Sequence, residues 1–133
     1  MLSIKKYAYH KLRNLKHEEI MMDKSNITVD NPTEVLNTYI NTISSVSGVL
    51  QIYLFGSYAN GEPNAKSDID LMVLIQDNLK TANMAIAINK ALVGKRVIPL
   101  DILVNTSSDF NEAAKEPTLQ NRIKREGKLL YAQ

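Results

Sequence analysis

The sequence predicts a small α/β domain, and three observations carry that prediction. Runs that alternate or are apolar throughout, at residues 49–55, 68–75 and 97–104, read as strands. Between and after them lie stretches whose apolar residues recur at helical spacing, closed by Gly48, Gly94 and Gly127. The chain has 133 residues, 44% of them hydrophobic, which suits one compact core and is too apolar for a disordered chain.

Residues 1–24 form a basic arm in which Ile4, Tyr7, Ala8, Leu12 and Leu15 fall at helical spacing among lysines. Docking to a partner or to nucleic acid and simple packing on the domain all fit such an arm. A third reading is that it is not native. Glu18-Glu19 can be encoded by a purine-rich stretch resembling a ribosome-binding site, just ahead of Met21 and Met22, which would make one of those the start. His10 and His17 are the only histidines, and two ligands are too few for a metal site.

Residues 25–30 are a polar connector, and 31–133 are the domain. Asn31-Pro32-Thr33-Glu34 is a helix start, with Asn31 as cap, Pro32 at the first helical position and Glu34 reaching back. Val35, Leu36, Tyr39, Ile40, Ile43 and Val46 then make one apolar face, and Gly48 is expected to end the helix. A second helix is expected over 78–93, with Met84, Ile88, Ala91 and Leu92 inward. In the strand at 97–104, Pro99 cannot donate to a ladder, which marks an edge or a bulge. Ser107 or Ser108 can cap a short helix through Lys115. Pro117 starts another, with Leu119 and Ile123 inward and Arg122, Lys124 and Arg125 outward as a solvated face, or in reach of substrate phosphates. A small strand follows Gly127.

The chemistry concentrates in LFGSYANGEPNAKSDIDLMVL, residues 54–74. Asp68 and Asp70 flank Ile69, so on a strand both carboxylates point to one face. Leu71, Met72, Val73, Leu74 and Ile75 then read as a strand buried on both faces. Two adjacent carboxylates repel, and a divalent cation removes the conflict. Mg²⁺ is commonly held by one or two carboxylates together with substrate phosphates. Upstream, Gly56-Ser57 follows a strand and precedes a possible single helical turn at 58–60 ending at Gly61. Such a turn can seat phosphate, with Gly56 permitting close approach and the Ser57 hydroxyl donating. Asp101 lies inside the later apolar run, where a carboxylate is costly unless paired or metal-bound; the alternative is an exposed edge charge that discourages aggregation.

Gly56-Ser57, ten intervening residues and Asp68-Ile69-Asp70 together resemble the signature of the minimal nucleotidyltransferases of the DNA polymerase β superfamily. The resemblance runs from about residue 31 to 131 and takes in Asp101 and the terminal Arg125-Glu126-Gly127-Lys128-Leu129-Leu130-Tyr131. Many relatives carry basic residues after Gly-Ser, where this chain has Tyr58 and Asn60. The resemblance implies a polymerase-β-like fold, a small mixed and mostly antiparallel sheet with helices chiefly on one face. The three aspartates should converge at one end of it. It further implies a Mg²⁺-dependent nucleotidyltransferase with ATP as substrate. Asp68, Asp70 and Asp101 would hold two metal ions, Gly56 and Ser57 the β and γ phosphates, and Asp101 would help deprotonate an acceptor hydroxyl. Similar stand-alone domains are antitoxins that modify a tyrosine of a partner HEPN ribonuclease toxin, and the resemblance implies that role here. Transfer to a small molecule such as an aminoglycoside, and inhibition of a partner by contact alone, are the alternatives.

Other chemistries fit less well. Glu62-Pro63 stands where a P-loop needs Lys-Ser/Thr, Ser57 lacks a Gly-x-Ser-x-Gly elbow, and the domain body has no histidine to activate a serine. Glycosidase carboxylates flank a sugar rather than sit side by side on one strand. A net charge of +2 makes nucleic acid an unlikely main partner. The absence of cysteine is compatible with the expected cytoplasmic location, and no apolar run approaches the ~20 residues of a membrane span.

Overall fold

The computed structural model describes residues 31–133, so the basic arm, the connector and both histidines lie outside the described residues. Element order is α1 (Pro32–Ser44), β1 (Val49–Phe55), α2 (Ser57–Asn60), β2 (Ile69–Ile75), α3 (Thr81–Ala91), β3 (Leu100–Thr106), α4 (Ser107–Ala113), α5 (Leu119–Glu126) and β4 (Lys128–Ala132). The four strands form one sheet in the order β3-β2-β1-β4. β1 runs antiparallel to β2 and to β4, while β2 and β3 are parallel. The sheet is therefore mixed and mostly antiparallel, as expected.

The two longest helices share one face. Leu36, Tyr39, Ile40 and Ile43 of α1 and Met84 and Ile88 of α3 pack on Ile52, Leu54, Ile69, Leu71, Val73 and Ile75 in one cluster. Each such side chain contributes roughly 1.5–3 kcal/mol on burial. The opposite face is covered by the shorter α4 and α5, whose Phe110 and Ile123 join Met72 and Leu74. Strand alternation explains the division, because even positions of β2 point to the α4/α5 side. Asp70 is the first even position of β2 and the only charged one. The two short helices lie over Met72 and Leu74, farther along the strand.

Several boundaries move from their expected places. β2 begins at Ile69, with Asp68 immediately before it. α1 ends at Ser44 with Ser45 as its C-cap, and Gly48, at φ +98°, instead turns the chain into β1. The second helix is shorter than 78–93 because Lys80, not Asn78, is its N-cap and Leu92 its C-cap. The third strand starts at Leu100 rather than Val97, and it is an edge strand. Before it, the Tyr39 hydroxyl takes the N–H groups of Val97 and Ile98 at 2.9 and 3.1 Å and donates to the Ile98 carbonyl at 2.5 Å. Those backbone groups are thereby satisfied by α1 instead of by a ladder. Thr106, not Ser107 or Ser108, caps α4 by accepting from Asp109 N–H at 3.2 Å. Thr118 caps α5 by accepting from Asn121 N–H at 3.2 Å, one residue past Pro117. Leu119, expected inward, is 43% exposed because it sits on the open first turn of α5, while Ile123 is buried.

Candidate active site

The candidate site lies where the ends of three adjacent strands meet. Phe55, the last residue of β1, is the register partner of Asp70 on β2, and Asp70 is the register partner of Asp101 on β3. Neighbouring strands lie about 5 Å apart, so the two carboxylates stand side by side on the α4/α5 face. The Ile69 N–H bonded to the Pro99 carbonyl at 2.8 Å opens this pairing and sets the register. A one-residue slip there would send Asp101 to the other face.

After β1 the chain turns through Gly56 at φ +78° and ψ −157°, a backbone region open essentially to glycine alone. A Cβ placed on Gly56 would overlap the Asp70 carboxylate. The turn and the acid thus press against each other, and only a hydrogen side chain leaves room. The Gly56 carbonyl accepts from Ala59 and Asn60 N–H at 3.1 and 3.0 Å, closing the single helical turn expected at 58–60. Gly61 ends it in the left-handed conformation. The Ser57 side chain is half-buried and its hydroxyl makes no hydrogen bond among the described residues. Tyr58 and Ala59 anchor the turn in the main core.

The spacer between the turn and the acids has its own local order. Asn64 Oδ1 accepts from Lys66 N–H at 2.8 Å, Ser67 Oγ accepts from Asn64 N–H at 2.7 Å, and Ser67 N–H donates to the Asn64 carbonyl at 3.0 Å. This tight turn reverses the chain and returns it to Asp68. It gives a physical reason for a spacer of this length, which must leave the end of β1 and re-enter the sheet beside it.

Asp70 has its pKa raised above the usual carboxylate value, first by burial and then by the charges of Asp101 and Asp68. The charges of Asp101 and Asp68 thus reach Asp70 at one end of the sheet. Among the described residues none of the three is ion-paired. Asp68, Asp70 and Asp101 supply hard oxygen donors of the kind that fit a divalent ion such as Mg²⁺. No group of three His, Cys, Asp or Glu side chains among the described residues is gathered closely enough to hold a metal unaided. Mg²⁺ retains waters and draws further ligands from substrate phosphates, so these acids would hold it only together with substrate.

On the far side of Gly56 from β3 lies a cavity of about 200 Å³ between the α2 turn and α5. Phe55 and Ile123 supply apolar walls, and Asn60, Arg122 and Glu126 supply polar ones. Tyr39 is the residue whose part in the site sequence reasoning missed, since its spacing reads as core. Its hydroxyl holds the segment that delivers Asp101. The available signal was a tyrosine on an otherwise aliphatic helix face, because a buried phenol seeks a partner.

The chain thus has a small mixed sheet with acids at one end facing a glycine turn. The chain belongs to the polymerase beta nucleotidyltransferase family, whose model matches residues 37–133. Among curated proteins there is no significant match. A crystal structure of a candidate nucleotidyltransferase from Sulfolobus solfataricus is similar at 14% identity, over 98% of this chain and 88% of that one, with a TM-score of 0.50. A toxin–antitoxin structure with AMP-PNP is similar at 23% identity over 75% of this chain and 73% of that one, with a TM-score of 0.45. A tri-AMPylated Shewanella oneidensis HEPN toxin in complex with MNT antitoxin is similar at 23% identity over 75% and 71%, with a TM-score of 0.43. At these identities the likeness concerns the fold alone. No helix among the described residues is long and apolar enough to cross a membrane.

Proposed function

We propose that this chain transfers a nucleoside monophosphate, AMP from ATP, to an acceptor hydroxyl and releases pyrophosphate. The observation that carries the reading is the register pairing of Asp70 with Asp101 at the strand ends, with Asp68 adjacent and Gly56 packed against Asp70. Asp68, Asp70 and Asp101 would hold Mg²⁺, which when bound neutralises charge on the attacking and leaving oxygens. Gly56 allows the β and γ phosphates close to the backbone, and the Ser57 hydroxyl donates to them. Asp101, on the exposed edge strand, is the carboxylate open to an incoming acceptor and takes up the proton of its hydroxyl. The acceptor oxygen forms a bond to the α-phosphorus as the bond from that phosphorus to the bridging oxygen breaks. The electron pair leaves with pyrophosphate.

The acceptor we propose is a tyrosine hydroxyl on a HEPN ribonuclease toxin, which would make the chain an antitoxin acting in the cytoplasm. This rests on the sequence resemblance to stand-alone antitoxin domains. The AMPylated Shewanella toxin is a property of that protein and supplies the modification to look for. The test is intact mass spectrometry of a candidate HEPN partner after incubation with this chain, ATP and Mg²⁺. An adenylate-sized gain that disappears with the Asp68→Asn, Asp70→Asn double variant is expected. Undiminished labelling by that variant would refute the site assignment. Neutralisation of the partner without any mass gain would make contact the mechanism, and transfer to an aminoglycoside with no protein acceptor would make a drug the substrate.

A further inference from the structure

We infer that Arg122 on α5 binds the leaving pyrophosphate of the transferred nucleotide, reaching it through the cavity between α5 and the Gly56 turn. The inference rests on the nucleotidyl-transfer reading above and extends it to a residue that lies outside the Gly-Ser and aspartate motifs.

The order of strands fixes a direction across the site. Asp101 is on β3, Asp70 on β2, Gly56 follows β1, and Gly127 leads into β4, so the four stand in that sequence across the sheet end. An in-line displacement places acceptor, α-phosphorus and leaving oxygen along one line. With the acceptor at the open β3 edge and the α-phosphate over Asp70, the leaving group points past Gly56 toward α5. The cavity lies there, and Gly56 is one of its walls.

The cavity wall carries one basic side chain, Arg122, and one acidic one, Glu126. Three basic side chains project from α5. Lys124 donates to Asn111 Oδ1 at 2.9 Å, and Arg125 donates to Asn121 Oδ1 at 2.8 Å. Arg125 also pairs with the Glu126 carboxylate at 3.5 Å, an exposed contact. Arg122 alone among the three has no hydrogen bond or ion pair among the described residues. Arg122 lines the cavity together with Asn60, and its guanidinium is a planar fork of donors. Such a fork matches phosphate oxygens better than a point charge does. The helix that carries it is fixed in place, because Ile123 is buried beneath and Gln120 Nε2 donates to Asn105 Oδ1 of β3 at 3.1 Å. Arg122 therefore meets the substrate from a preorganised element. The turn itself has no basic residue between Gly56 and Gly61.

The experiment is isothermal titration of the full chain with magnesium pyrophosphate and with Mg-ATP, for wild type, Arg122→Ala, Arg122→Lys and Asp70→Asn. Arg122→Ala is expected to weaken both ligands by about tenfold or more, and Arg122→Lys to recover part of the loss. The ligand-free melting temperature should stay at the wild-type value, since the side chain is exposed. Unchanged pyrophosphate affinity in Arg122→Ala, with Mg-ATP binding still lost in Asp70→Asn, overturns the role of Arg122 and leaves the transfer reading standing. A fall in melting temperature that accounts for the weaker binding also overturns it, because the residue would then be structural. Wild type that binds neither ligand defeats both the role of Arg122 and the transfer reading.

Discussion

Replacing Gly56 with alanine separates two costs that the structure places at one residue. The backbone there has φ +78° and ψ −157°, and an alanine held in that region costs about 1–3 kcal/mol whatever space is available. The added methyl also meets the Asp70 carboxylate. That second cost is avoidable, since the obstructing atoms end a side chain whose χ angles can rotate. Relief of the overlap should therefore appear as a displaced carboxylate, while the stability loss is set by the backbone. Urea unfolding of Gly56→Ala should show a loss of about 1–3 kcal/mol at unchanged m-value. Adding Asp70→Ala should recover little of it, with a coupling below about 0.5 kcal/mol. Mg-ATP should no longer stabilise the single variant, because the acid has moved. Full recovery of stability in the double variant would refute the reasoning, for it would mean that the contact with Asp70 and not the backbone carries the cost.

The remaining predictions concern the groups around this turn. Asp70 has a raised folded-state pKa, so its protonated form favours the folded state; that contribution is complete below the unfolded value of 3.8 and is lost as pH rises through the folded value. Metal-free Asp70→Asn should accordingly melt above wild type at neutral pH, with the difference shrinking as pH falls toward 3.8, and equal melting at neutral pH would contradict the crowding of the three acids. Tyr39→Phe removes the acceptor for two backbone N–H groups and should cost about 1–3 kcal/mol by urea unfolding, with faster amide exchange at Val97 and Ile98; unchanged exchange would show that the segment before β3 holds itself. Thr106→Ala should cost about 1 kcal/mol through loss of the α4 cap, and a neutral result would mean that water replaces it.

Much of this architecture was legible because it rests on short-range signals. Residues 71–75, apolar without a break, specify a strand covered on both faces, and all five are buried. The Asn31-Pro32 start of α1 appears as expected, with Asn31 Oδ1 accepting from Thr33 N–H at 2.9 Å. What sequence pattern misplaced depends on partners distant in the chain. Val97 and Ile98 look like strand because both are apolar and β-branched, yet a hydroxyl about 60 residues upstream captures their N–H groups. Leu119 looks like core because it is spaced with Ile123, but no described residue covers the first turn of α5 enough to bury it. In the candidate site, adjacency of Asp68 and Asp70 is local and was readable. Juxtaposition of Asp101 with Asp70 follows from parallel register across an intervening helix, which no local pattern encodes. The same holds for Arg122, where helical spacing shows an outward face but not the turn that the face meets.

The central claim is that Gly56, Ser57 and the three aspartates form one site for a metal-bound nucleoside triphosphate. Its most direct test is the unfolding free energy of the purified chain as ATP and Mg²⁺ are added together and separately. A ligand bound only by the folded state adds RT ln(1 + [L]/Kd), about 2.7 kcal/mol at one hundred times Kd. A rise of this form is expected with ATP and Mg²⁺ together, little with either alone, and none in Asp70→Asn. A rise of equal size in Asp70→Asn, or one independent of Mg²⁺, would contradict it.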